Sequence, residues 1–259
     1  MRREGAEDGR GSDRRRGGRR PSSLRSGLRL VLLAAALGSC ALETIPQLEA
    51  PNFVDLSGAF QLSHNTANLG EDFTGYQILY RLFDTAEEAA AQDAKVSTLL
   101  SYEPTTVFKK MTDKTSAGGL GFGVMQFAYT PSYLSTYGSI DASTLNISNL
   151  EKTASVSFNL TNTTWSVDKI GPGSDYQQGI AVAGRALDIE PARSAFQVSN
   201  LASTDPDCSI ATSTAPSVAY LVLYAVAIGL NYSTFSSYYS LPAVLRGGDS
   251  QPMVITVSN

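Results

Sequence analysis

FTGYQILYRLFD, residues Phe73 to Asp84, is the stretch around which the rest of the chain arranges itself. Side chains along a strand alternate between faces. Tyr76, Ile78, Tyr80 and Leu82 therefore point one way, and Gln77, Leu79, Arg81 and Phe83 the other. Both sets are largely apolar, which predicts a central strand covered on both sides. A second stretch of the same kind lies far downstream, where Tyr220, Val222, Tyr224, Val226 and Ile228 alternate with Leu221, Leu223 and Ala225. We expect Ile78 and Val222 both to lie between two sheets, where a charge would unfold the domain.

Shorter elements flank these two. Phe60, Leu62 and His64 alternate with Gln61 and Ser63, a half-buried strand. After the first central strand, Thr85 with Glu88 three residues on forms a capping box, predicting one helix over Ala86 to Leu100 with Pro104 beyond its end. Ala89, Ala90, Val96, Leu99 and Leu100 are its expected buried stripe. Residues 103–122 carry no clear pattern. Strands are expected at Val124 to Tyr129, Leu145 to Leu150, Thr153 to Thr161, Ile180 to Ile189, Ser194 to Leu201, Tyr239 to Leu245 and Met253 to Val257, the last two around a Gly247-Gly248-Asp249 turn. In Thr153 to Thr161, Val156, Phe158 and Leu160 face in, while Ser155, Ser157 and Asn159 face out. The fold class is mainly β.

Three of these pieces together resemble a fibronectin type III domain. They are the alternating Phe60-Leu62-His64 strand after a proline-flanked start, the Gly75-Tyr76 opening of the central strand, and Tyr220-x-Val222-x-Tyr224-x-Val226-Ala227 followed by Gly229, a serine-rich turn and Leu241-Pro242. The resemblance implies strands B, C and F–G of an antiparallel β-sandwich. It departs from the family in two ways. His64 stands where the family's core tryptophan is expected, and some 130 residues separate the C-like and F-like strands. The expected domain is therefore 53–259, with a large insertion at about 85–214 that contains the one α-helix.

The chain begins differently. Ten arginines in 1–39 lead into the apolar run Leu30 to Leu37, and Leu37-Gly38-Ser39-Cys40 follows. A basic flank, an apolar run and small residues make a secretory signal peptide. Its ending resembles the lipobox of bacterial lipoproteins. The resemblance implies a diacylglyceryl group on Cys40, cleavage before it, acylation of the new amino terminus, and residues 40–52 as a lipidated tether. Two or three acyl chains suffice for stable anchoring, whereas one does not. The tethered layout also resembles spirochaetal surface lipoproteins. The implied address is the bacterial envelope, at the outer membrane or cell surface, with the membrane as partner through the lipid.

Of the 259 residues, 42% are hydrophobic and 17% charged, with a net charge of -4. Residues 1–39 hold ten basic and four acidic residues, so the remainder holds 10 basic and 20 acidic, a net charge near -10. A nucleic-acid partner needs a basic patch, and this surface has the wrong sign. If Cys40 is lipidated, Cys208 has no partner for a disulfide, and it reads as a small, partly buried residue in the Asp205-Pro206-Asp207 turn region.

Material for chemistry is sparse. A single histidine removes two-histidine zinc sites, and no nucleophile elbow accompanies it. His64 reads as a satisfied core or rim residue. Glycine-rich TSAGGLGFG, Thr115 to Gly123, lacks the lysine and hydroxyl of a phosphate-binding loop and reads as a turn. Asp168 and Asp175 flank one turn, and Asp205 and Asp207 flank Pro206; such residues mostly bond their own backbone. No cofactor and no metal site are expected. Tyr232, Phe235, Tyr238 and Tyr239 crowd a serine-rich loop, a composition suited to binding surfaces. The expected function is non-enzymatic binding, adhesion or envelope structure, with a protein or carbohydrate ligand at that loop. The alternative is a carboxylate-dependent carbohydrate-active or other hydrolytic enzyme.

Overall fold

The computed structural model describes residues 47–259, apart from 57–58, 69, 71, 140, 146–154, 160–164, 172–175, 212–215, 246–253 and 258–259. The signal segment 1–39, Cys40, Asp175, Leu160, the strand expected after Leu145 and the 247–249 turn lie outside the described residues. In chain order the elements are β1 (Asn52–Leu56), β2 (Ala59–Ser63), β3 (Phe73–Phe83), α1 (Ala86–Ser97), α2 (Pro104–Thr112), β4 (Gly123–Val124), β5 (Gln126–Tyr129) and α3 (Pro131–Tyr137). Then come β6 (Ser155–Asn159), β7 (Trp165–Ile170), β8 (Gln177–Gly184), β9 (Cys208–Ser209), β10 (Ala219–Asn231), β11 (Ser236–Tyr239), β12 (Ala243–Val244) and β13 (Val254–Val257).

The strands form two sheets. One runs β1-β2-β6-β7-β8-β5, antiparallel throughout. The other is built on β3 and β10, antiparallel neighbours with Leu223 opposite Tyr80 and Ala225 opposite Ile78. Along the far side of β10 lie β13, β12 and β11 in succession. Along the far side of β3 lie antiparallel β4, parallel β9 and a bridge from Tyr76 to Leu145. The chain changes sheets at Met125, which is fully buried and donates its N–H to the Ile78 carbonyl at 2.8 Å.

Alternation along β3 and β10 creates two cores. Tyr76, Ile78, Tyr80, Leu82, Leu221, Leu223 and Ala225 meet Phe60, Phe127, Val156, Phe158 and Val167 between the sheets. Leu79, Phe83, Val222, Tyr224 and Val226 face the opposite way and pack under α1 and α2 against Ala89, Val96, Leu99, Val107 and Met111. The layers are thus sheet, sheet and helices. Val222 belongs to the helix-side core, a correction to its expected place between the sheets. β3 and β10 run antiparallel, and Val222 stands opposite Arg81, whose set points away from the first sheet.

The helices differ from expectation in number. Among the described residues there are three α-helices, where one was expected. α1 follows the capping box: Thr85 Oγ1 accepts the Glu88 N–H at 3.2 Å. It ends at Ser97, leaving Leu100 exposed, and Ala90 is exposed as well. α2 and α3 each open on a proline, which needs no N–H partner at the first helical position. Segment 85–214 is woven through the fold: β5 to β8 supply four of the six strands of the first sheet. Residues 194–201 are an irregular loop with a short 3-10 turn at Val198–Asn200, where a strand was expected. The Arg185 guanidinium takes the carbonyls of Arg193 and Asn200 at 3.3 and 3.0 Å, which bends this loop around it.

His64 is buried and belongs to a closed network. Tyr76 Oη accepts the Asn65 N–H at 2.8 Å and the Asn68 amide at 3.1 Å, and it pairs with His64 Nδ1 at 3.0 Å. Part of the expected tether is fastened here as well: Leu48 is buried, and the Glu49 N–H donates to Asn68 Oδ1 at 2.7 Å.

Candidate functional site

Two groupings of polar and aromatic residues stand out, one exposed and one buried. The exposed one is the β10–β11 hairpin, which closes with Asn231 opposite Ser236. Asn231 Oδ1 accepts the N–H groups of Ser233 and Thr234 at 2.9 and 3.2 Å and the Ser233 hydroxyl at 2.7 Å, fixing the turn from within. Thr234 and Ser236 hydroxyls pair at 2.7 Å. At the tip Tyr232 is 54% exposed and Phe235 80%. Phe235 has φ of 51°, the one non-glycine residue with positive φ among the described residues. A bulky residue there is an outlier, costing on the order of 1 kcal/mol or more.

The other two aromatic residues of the expected site turn elsewhere. Tyr238 is buried, its ring lying over Gly229 so closely that a Cβ there would sit 2.5 Å from it. Tyr239 is half-buried and stacks on Phe108 of α2, ring centroids 3.7 Å apart. The cause is strand alternation inside β11 together with α2, which the sequence pattern did not announce. Of the four residues expected to form one surface, the hairpin presents Tyr232 and Phe235, and the body holds Tyr238 and Tyr239.

The buried grouping centres on Arg185, at the end of β8. Its Nε and Nη2 donate to the two oxygens of Asp207 at 2.9 and 2.5 Å, and Nη2 also reaches Asp205 at 2.9 Å. Arg193 donates to the same Asp205 oxygen, as does the Ala202 N–H at 2.9 Å. Tyr80 Oη donates to Asp207 Oδ2 at 2.5 Å and accepts the Ala186 N–H at 2.6 Å. Burial raises the Tyr80 hydroxyl well above its ordinary pKa, and Asp207 adds to that. Burial would lower the Arg185 guanidinium, but Asp207 outweighs it and the net direction is up. For Asp205, burial acts upward while bonds from Ala202, Arg185 and Arg193 prevail and hold the carboxyl below the usual range. Gly123 packs against the Tyr80 ring so closely that a Cβ would lie 2.6 Å from it.

Asp205, Asp207 and Cys208 bring ligand-type atoms within 4.8 Å of one another. The set does not suit a metal ion. The carboxylate oxygens already serve two guanidinium groups, and a cation would have to sit beside them. Burial first, and Asp207 second, push the Cys208 thiol up, so the thiolate that a metal needs is disfavoured. Nor do these aspartates offer a catalytic pair, since Asp207 is fully buried and both are bound to arginine. Asp168 bonds its own hairpin, accepting from the Gly179 N–H at 2.6 Å and the Tyr176 hydroxyl at 3.1 Å.

No known protein family, curated protein or solved structure matches this chain. Its function is therefore argued from its own residues. Sequence reasoning missed the Arg185 knot, although the Asp205-Pro206-Asp207-Cys208 turn was noticed. Arg185 lies about twenty residues upstream, and nothing in the local pattern reveals that it turns inward.

Proposed function

We propose that this chain is a lipid-anchored extracytoplasmic binding protein, tethered in a bacterial envelope through Cys40, whose β10–β11 hairpin tip engages a protein partner. The body reads as a fibronectin type III-like sandwich extended by β5, β7 and β8. Support for that comes from β3, β10 and β11, which lie side by side as strands C, F and G of such a fold do, with β2 in the facing sheet. No helix among the described residues is long and apolar enough to cross a membrane. The acyl chains on Cys40 would carry the anchoring.

The single observation behind the binding reading is Phe235, held at φ 51° and exposed at the tip of an internally braced turn. Backbone strain of this kind persists only where the surroundings enforce it, and it concentrates at functional positions. A rigid aromatic side chain suits a binding anchor because little freedom is lost on contact. Glycine adopts this backbone without steric cost. Phe235→Gly is expected to leave thermal stability within about 1 kcal/mol of the parent and to abolish partner engagement. A photo-crosslinking amino acid at position 235 should give one discrete adduct in intact cells, and the same group at Leu100 should not. An unchanged adduct pattern at both positions refutes the reading.

The anchor has its own test. Cys40→Ala is expected to give a product without acyl label when cells are fed a fatty-acid probe. Labelling that persists in the variant refutes the lipidation assignment.

A further inference from the structure

A second candidate site, an open cleft whose Ser132, Thr136 and Gln178 are exposed, lies at the same end of the sandwich as the hairpin tip. The register places it there: β10 ends opposite the start of β3, and Tyr129, just before α3, donates its hydroxyl to Thr144 beside the Leu145–Tyr76 bridge. Between α3 and the start of β8 is a cleft of about 330 Å³, within the lower range of small-ligand sites. Its polar lining is Thr130, Ser132 and Thr136 from one side and Gln177 and Gln178 from the other. The walls are fixed. The Thr130 N–H donates to the Ile180 carbonyl at 2.9 Å, and Tyr133 is buried beneath α3, stacked on Tyr129 at 5.4 Å.

Two features of the lining point to a ligand class. Among the described residues it contains no charged side chain. Among the described residues, the hydroxyls of Thr130 and Ser132 and the side-chain amides of Gln177 and Gln178 make no hydrogen bond to the protein, while the Thr136 hydroxyl makes a long one at 3.4 Å to the Ser132 carbonyl. Hydroxyls and primary amides each both donate and accept. Such an array complements a molecule whose polar groups also both donate and accept, carry no charge and sit on adjacent carbons.

We infer that the cleft between α3 and β8 binds a neutral saccharide unit. A charged sugar would meet no counter-charge among the described residues of the lining. A peptide would leave most of the hydroxyl array unmatched, because each peptide group has one donor and one acceptor direction along a strand. The inference is independent of the protein partner proposed for the hairpin tip.

The test is an NMR titration of the ¹⁵N-labelled full-length chain with glucose, galactose, N-acetylglucosamine, maltose and lactose, following the Gln177 and Gln178 side-chain amides. At least one neutral sugar should shift both amides saturably, while glucuronate and a capped trialanine peptide should not. Gln178→Ala and Ser132→Ala should each weaken that sugar about three- to tenfold, the range for one neutral hydrogen bond, with the melting temperature unchanged. Phe235→Gly should leave sugar affinity as it is, so the two sites fail or succeed separately. Shifts that stay linear for every sugar up to its solubility overturn the inference. So does saturation by the peptide, or sugar affinity indifferent to both cleft variants.

Discussion

Asp207→Ala is expected to destabilise the protein by about 3–5 kcal/mol, the range for removing one partner of a buried ion pair. The variant leaves the Arg185 guanidinium fully buried, with both Asp207 oxygens gone and Asp205, two carbonyls and the Cys208 sulfur left to face. It also deprives Tyr80 of the acceptor for its proton. Denaturant titration measures the loss. Arg185→Met combined with Asp207→Leu should recover much of it, because removing both charges removes the desolvation cost as well. A double variant no better than the single one would show that the knot's geometry matters more than its charges. Acid adds a second reading. The Asp205 carboxyl lies below its unfolded value of about 3.9. Its stabilisation is therefore complete above that value and is lost as pH falls through the folded one. Asp205→Asn should flatten this acid limb of the stability profile.

Ile78→Asp is the second large effect. Ile78 is fully buried in the core between the sheets, opposite Ala225. An unpaired carboxylate there costs several kcal/mol, or takes up a proton at a cost of its own. We expect no folded protein near neutral pH by circular dichroism. Ser157→Asp, on the outer face of β6, should change stability by less than about 0.5 kcal/mol. Comparable damage from both would overturn the assignment of faces in the first sheet.

The two spine strands were legible because both their faces are apolar over many residues, and no helical period fits them. Phe60, Leu62, Val156 and Phe158 were legible for the same reason at half strength. The helices were not. Pro104 matches the stop signal expected after α1, yet it opens α2, because a proline suits both the end of one helix and the first position of the next. Val222 was placed on the wrong side of its sheet. Alternation says which residues share a face but not which face meets which layer, when both are apolar. At the hairpin, tyrosine and serine content marked the right loop. Only the pairing of β11 and the position of α2 divided Tyr232 and Phe235 from Tyr238 and Tyr239.

The pairing of β3 with β10 has a kinetic consequence. Thr74 and Ile228, joined across this pair, are 154 residues apart in the chain. Contacts of such separation form slowly, since the intervening loop must close before any bond repays it. A nascent chain lacks the partner of its β3 strand until Ala219 to Asn231 have been synthesised. Tyr76 to Phe83 must wait in that interval, exposed and open to the wrong partners. Under the export proposed above, delayed closure would be an advantage, because nothing compact would have to be pulled apart on the way. The same delay makes the early chain a client for holding chaperones, and truncations ending before Ala219 should be recovered as aggregates or degradation products.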